Sequence, residues 1–236
     1  MTRPLLLKSG HTPISVIIPY APDLTASELP RGIALLLDAA RLEKPETDPQ
    51  EIPTALEGIP VIIRCRPLTH DTALSKDLAL AMRMKADAVL LPQVRHGADI
   101  QQLHAYLDVQ EVEAGLELGK TTIIAISGDN GAGVLNGSSF AGKSERLKAL
   151  VFDPLAFKAD IGLNGKETLV EITARAMTVM AASAAGLSAI KFGDTSGSDD
   201  HYSARAIMAQ RDGFDAVMAA TLSQARIARD SLTSET

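Results

Sequence analysis

Tryptophan is absent from this 236-residue chain, and tyrosine and phenylalanine number only 3 and 5. With aromatics at 3% of a 46% apolar content, the core has to be built from Leu, Ile, Val and Ala. That composition suits parallel strands covered by helices on both faces. Cysteine is nearly absent as well. The single Cys65 excludes an internal disulfide framework and leads us to expect a reducing, cytoplasmic compartment. Set in VIIRCRP, its thiol reads as a buried, inert group. Positive charge is not in excess: 23 Lys and Arg stand against 29 Asp and Glu, a net −6. This lacks the basic footprint of a nucleic-acid binder, and no such partner is expected. Long apolar runs are also missing. The three leucines of MTRPLLLKSG are too few for a signal segment or a membrane span, so no membrane partner is expected.

What is present is an alternation of short aliphatic runs with helical patterns. The runs predict strands at Ser15–Tyr20, Ala34–Ala39, Val61–Pro67, Ala88–Val94, Thr122–Gly128, Lys148–Pro154, Ser188–Asp194 and Asp215–Thr221. Most are Val/Ile/Leu-rich without polar alternation, as parallel strands buried on both faces are. Between them, Asp71–Ala86, Asp99–Glu117, Thr168–Ala185, Ser198–Arg211 and Ser223–Leu232 predict helices. The stripe Ile100, Leu103, Leu107, Val112, Leu116 has helical period, and Gly186 reads as a helix stop. Two further segments, Asp23–Arg31 and the proline-broken Lys44–Pro53, carry weaker helix signals. Eight strands with helices between them predict a (β/α)8 TIM barrel, a single domain over residues 1–236 with 233–236 as a flexible tail. A doubly wound open sheet is the competing topology; its usual GxGxxG loop is absent.

In such barrels chemistry sits where strands end and loops begin, at the C-terminal face. Arg64 and Arg66 lie two residues apart, so on one strand they share a face. Facing inward they would bind a small anionic substrate through bidentate hydrogen bonds; one of them could instead be the ion-pair partner of a neighbouring acid. Asp129 and Asp153 end adjacent predicted strands. Together they could hold Mg²⁺ with water completing its shell. Either could equally serve the backbone alone, Asp129 within Gly-Asp-Asn-Gly and Asp153 before Pro154. The glycine-rich stretch 127–142 could cradle an anion on backbone N–H groups, with Gly128 and Asn130 the candidate substrate contacts, but it lacks Walker spacing. Lys191 lies in an apolar strand, where it could form a Schiff base or an ion pair. The five histidines show no metal-ligand spacing.

Taken in order, these pieces resemble a known family. Val61–Ile62–Ile63–Arg64 resembles the "V-R-I-N" strand of the citrate lyase β-subunit and malyl-CoA lyase group, within the HpcH/HpaI aldolase superfamily. Ala88–Val94 with Asp99–Ile100 resembles its "vlPKves..di", and Ile126–Asn136 its "liEtarGvln". Leu150–Gly162 resembles "lxfGxxDlaadlG", Arg175–Leu187 the "R..vv.AAraaGl" helix, and Gly213–Gln224 the "Gf.gk.aihP.Q" ending. The resemblance implies a TIM barrel, usually trimeric or hexameric. It also implies Mg²⁺-dependent cleavage or formation of C–C bonds in oxo acids or CoA thioesters. Carried over by residue, Arg64 takes the substrate arginine's place and Asp129 that of the metal-binding glutamate. Ala156 stands where the family has its metal aspartate, and Asp153 on the glycine before it. Gln93 replaces the lysine of "PK"; Asp38 matches the first acid of "DLED", with Ala40 at its glutamate. The expectation is a C–C lyase, with Arg64 and Asp129 catalytic. The alternative is a catalytically silent homologue that binds a ligand or partner subunit.

Overall fold

The computed structural model describes residues 5, 13–21, 24, 29, 31–42, 58–165, 167–193 and 198–233. Eight strands form among them: β1 (Val16–Pro19), β2 (Ile33–Asp38), β3 (Val61–Arg64), β4 (Ala88–Leu91), β5 (Thr122–Gly128), β6 (Leu147–Phe152), β7 (Ser188–Lys191) and β8 (Ala216–Met218). Each pairs in parallel with the next, and β8 pairs with β1, so the sheet closes into a barrel. All eight predicted strands are there, mostly shorter than the apolar runs that announced them. The open-sheet alternative is excluded by the β1–β8 pairing, Val16 opposite Val217.

Alternation along the strands divides the core in two. Ala34, Leu36, Ile62, Leu90, Ile124, Ile126, Val151 and Ile190 fill the barrel interior. Their neighbours Leu35, Leu37, Ile63, Val89, Ile123, Leu150 and Phe152 face the helices. This is why the runs show no polar alternation: both faces are dry.

The covering helices are α1 (Ala39–Leu42), α2 (Asp71–Arg83), α3 (Gly97–Glu113), α4 (Gly131–Leu135), α5 (Pro154–Ile161), α6 (Leu169–Ala185), α7 (Asp199–Arg211) and α8 (Leu222–Thr233). The five predicted with strong periodicity are present within four residues at each end. The short α1, α4 and α5 were not expected, being too brief to show a period. A 3₁₀ turn, Gly137–Phe140, follows α4, so much of the glycine-rich stretch is helical. Gly186 ends α6 at φ 75°, a left-handed cap that a side chain would strain. The Lys44–Pro53 helix, most of Asp23–Arg31, Asp194 and the tail residues 234–236 lie outside the described residues.

At the N-terminal face the elements are bound by one ion network. Glu111 of α3 is fully buried and accepts hydrogen bonds from the backbone N–H groups of Gly119 and Thr121, each at 2.7 Å. Arg146, leading into β6, donates Nη1 to Glu111 Oε1 at 2.9 Å and Nη2 to Oε2 at 2.6 Å, and also pairs with Asp108. Burial alone would raise the Glu111 pKa. The hydrogen bonds from Arg146, Thr121 and Gly119 outweigh it and hold the carboxyl at about 2.

Candidate active site

Because the strands are parallel, Asp38, Arg64, Asp129 and Asp153 reach the same C-terminal mouth from β2, β3, β5 and β6. Asp38 and Arg64 are register partners on adjacent strands. Alternation puts both on the interior side with Leu36 and Ile62. The Asp38 Oδ1 accepts the Ala40 N–H at 3.0 Å, which starts α1. Arg64 is half-buried, and no hydrogen bond or ion pair to another described residue engages its guanidinium.

Arg66 is placed differently. β3 ends at Arg64, so the shared strand face does not exist. Arg66 turns to α2, where its Nε and Nη2 bond the two oxygens of buried Asp77 at 3.0 and 2.5 Å, and Nη2 also donates to the Ala73 carbonyl. Its own N–H donates to Asp77 Oδ2 at 2.7 Å. This is the ion-pair arrangement rather than the anion-binding one. The fork that would grip a substrate carboxylate already grips Asp77.

The position of Asp129 depends on an irregularity. The β5–β6 register shifts between Ile126 and Gly128, so Ser127 has no partner on β6. One extra residue reverses the alternation. Gly128 then faces outward, where a Cβ would meet Phe152 at 2.7 Å and Thr178 at 3.0 Å. Asp129 turns inward beside Asp153, which follows Val151 on the interior side of β6. Asp129 is buried at 7% exposure. Its Oδ2 accepts the Gln93 N–H at 2.7 Å, and its Oδ1 accepts Asn130 Nδ2 at 2.7 Å. Burial raises its pKa above the ordinary carboxylate value and the nearby Asp153 charge adds to this, while the hydrogen bonds from Gln93 and Asn130 pull the other way.

Gly128 and Asn130, expected at the substrate, are placed as supports of the two acids. The Gly128 carbonyl accepts the Asp153 N–H at 3.2 Å. Asn130 is buried; it caps α4 by accepting the Gly133 N–H at 2.7 Å while holding Asp129. Asp153 caps α5, its Oδ1 accepting from Leu155 and Ala156 at 3.1 and 3.2 Å, with Pro154 at the first helical position. Ala156 sits in the first turn of that helix, beyond the strand end. Lys191 is on the outer face of β7, between the interior residues Ile190 and Phe192, so it does not enter the barrel. Sequence reasoning missed Gln93 as a structural partner of Asp129. It stands at φ 57°, a left-handed conformation that a side chain resists. Its place after Leu91–Pro92, at a strand end, was the available signal.

Among the described residues no group of three or more His, Cys, Asp or Glu is placed to hold a metal ion. Asp129 and Asp153 remain a two-carboxylate set on neighbouring strands. Each Asp129 oxygen accepts one hydrogen bond, and one Asp153 oxygen caps a helix, so acceptor capacity is left on both. Such a pair fits Mg²⁺, which keeps several waters and takes further oxygens from its substrate.

A closed parallel eight-stranded barrel with alternating helices is a TIM barrel, and the arginine and two acids lie at the C-terminal mouth, the face where that fold carries its sites. The chain belongs to the HpcH/HpaI aldolase/citrate lyase family, which it matches over residues 38–221. No functionally curated protein matches it by sequence. Solved structures share the fold. A citrate lyase from Burkholderia xenovorans LB400 is 14% identical with TM-score 0.78, over 97% of this chain and 80% of that one. The citrate lyase β subunit of Mycobacterium tuberculosis, complexed with oxaloacetate and magnesium, is 16% identical with TM-score 0.66, over 94% and 98%. The Haloferax volcanii malate synthase ternary complex with pyruvate and acetyl-CoA is 17% identical with TM-score 0.75, over 93% and 70%. No described helix is long and apolar enough to cross a membrane.

Proposed function

We propose that this protein is a carbon–carbon lyase of the aldolase or CoA-ester lyase type, acting on a small anionic oxo or hydroxy acid or its CoA thioester. The observation that carries the reading is the convergence at one barrel mouth of Arg64, which has no partner among the described residues, with buried Asp129 and half-buried Asp153. Arg64 grips the substrate carboxylate or thioester oxygen and fixes which carbon lies over the acids. Asp129, held by Gln93 and Asn130, and Asp153, held by the end of β6, would be the Mg²⁺ ligands. When bound, such a cation supplies positive charge where negative charge develops on oxygen as a C–C bond breaks. The ligands recorded with the two similar enzymes, oxaloacetate with magnesium and pyruvate with acetyl-CoA, support this substrate class.

A second reading has its own observation. With Ala156 at the family's metal aspartate, half of the usual carboxylate pair is lost unless Asp153 replaces it. Without that replacement the chain is a silent homologue that binds a ligand or partner subunit. A homo-oligomer, trimer or hexamer, is part of the first reading. The exposed Leu135, Leu155 and Leu169, at 76%, 63% and 77%, support it. A cytoplasmic location is proposed too; the lone, buried Cys65 thiol agrees with it.

The test is formation of a 2-oxo acid from hydroxy diacids and from hydroxyacyl-CoA thioesters, in Mg²⁺, by the wild type, Arg64→Lys and Asp129→Asn. The lyase reading expects turnover by the wild type and a loss of about a hundredfold or more in each variant. Binding of these compounds without turnover would establish the silent homologue.

A further inference from the structure

Outside the barrel wall, between β6–β8 and helices α5–α7, lies a second cavity of about 260 Å³. Phe152, Lys191 and Val217, which line it from β6, β7 and β8, are register partners on the outward face of the sheet, whereas Met218 at the end of β8 packs with the interior residues. Four cations line it, Lys158, Arg175, Lys191 and Arg205, against two carboxylates, Glu167 and Glu171.

The carboxylates are already used. Lys158 Nζ pairs with Glu171 at 2.9 Å. Arg175 pairs with Glu167 and, through Nε at 3.0 Å, with Asp212. Lys191 has no ion pair or hydrogen bond among the described residues, although it is half-buried in this cavity. Its pKa is lowered by burial first, and next by the Arg175 charge; Asp212, Glu167 and Glu171 oppose this more weakly. A desolvated ammonium near a guanidinium, with the acids Glu167, Glu171 and Asp212 engaged by other cations, has no paired counter-charge among the described residues.

We propose that this cavity binds a compact oxyanion of the phosphate class, with Lys191 as its principal ligand. The cavity is below the ~300–1,000 Å³ of ordinary small-molecule pockets, so the occupant is small. A tetrahedral dianion shares its oxygens among ammonium and guanidinium donors approaching from different elements, here β7, α6 and α7. The site is distinct from the carboxylate-binding Arg64 and does not depend on the reaction proposed for the mouth.

Inorganic phosphate is the probe, against chloride at matched ionic strength, by calorimetry and by the thermal unfolding midpoint. The wild type is expected to bind phosphate and to be stabilised by it. Lys191→Met, which keeps the apolar stem, should bind phosphate about tenfold more weakly or not at all, and Arg205→Gln should weaken it in the same direction. Arg64→Lys should bind phosphate as the wild type does. No phosphate-specific stabilisation of the wild type would overturn the proposal. So would unchanged affinity in both Lys191→Met and Arg205→Gln. Loss of phosphate binding in Arg64→Lys would place the anion in the mouth and overturn it equally.

Discussion

The two ends of this barrel bury acids in opposite ways. At the N-terminal face Glu111 is surrounded by donors: two backbone N–H groups and both arms of Arg146. Its carboxyl is held at about 2 despite burial. At the C-terminal mouth Asp129 is nearly as buried, but it is held by backbone N–H groups and the Asn130 amide with no cation paired to it among the described residues, and a second acid, Asp153, lies beside it. Its pKa moves up. One end pairs its buried charges with each other; the other sets two acids side by side with no ion pair to a cation among the described residues. The same contrast separates the arginines. Arg146 and Arg66 are locked to Glu111 and Asp77, whereas Arg64 has no such partner among the described residues.

Breaking the floor should have the largest effect. Glu111→Gln leaves Arg146, 3% exposed, without its buried counter-charge, and the expected loss of stability is about 3–5 kcal/mol by denaturant unfolding. The pH dependence sharpens this. A carboxyl whose folded pKa is depressed contributes stability above its unfolded pKa of about 4.3 and loses it as pH falls toward about 2. The wild type should therefore lose stability on the order of 3 kcal/mol more than the variant across that window. Parallel acid titrations of the two proteins would count against the network.

Arg64→Lys should do the reverse. Since no described residue pairs with Arg64, stability should change by less than about 0.5 kcal/mol. Affinity for oxaloacetate should fall about tenfold or more, because a lysine cannot form the bidentate fork. Calorimetry alongside thermal unfolding reads both. Unchanged affinity with lower stability would move Arg64 to the structural side of the comparison.

Asp153→Ala has a smaller and mixed effect. Removing the α5 cap should lower stability by about 1 kcal/mol, while Asp153→Asn, which can still cap, should cost a few tenths. Unfolding curves for the pair separate the capping role from any role in binding.

Much of this architecture was legible in the sequence, and the reasons are specific. Runs such as Ala88–Leu91 and the Ile123–Ile126 stretch of β5 are apolar on both faces, as buried parallel strands are. Parallel strands then send Arg64, Asp129 and Asp153 to one end without further information. What failed to show was fine register. The bulge at Ser127 that turns Asp129 inward has no sequence mark beyond its small residues. Two residues after Arg64 the strand has ended, so Arg66 escapes the period-2 rule and finds Asp77 on the next helix. Lys191 faced outward for the opposite reason: the strand does continue, and alternation places it with the helices. The Arg146–Glu111 pair spans 35 residues, and local pattern does not reach that far.

The central claim is that Asp129 and Asp153 form a cation site completed by substrate. Mn²⁺ titration followed by electron paramagnetic resonance, with and without oxaloacetate, tests it most directly. The wild type should bind Mn²⁺ weakly alone and at least about tenfold more tightly with oxaloacetate, the gain shrinking as the medium is acidified and Asp129 takes up a proton. Asp129→Asn and Asp153→Asn should each abolish that gain. Tight Mn²⁺ binding that survives in both variants, or an oxaloacetate complex indifferent to the metal, would contradict the account.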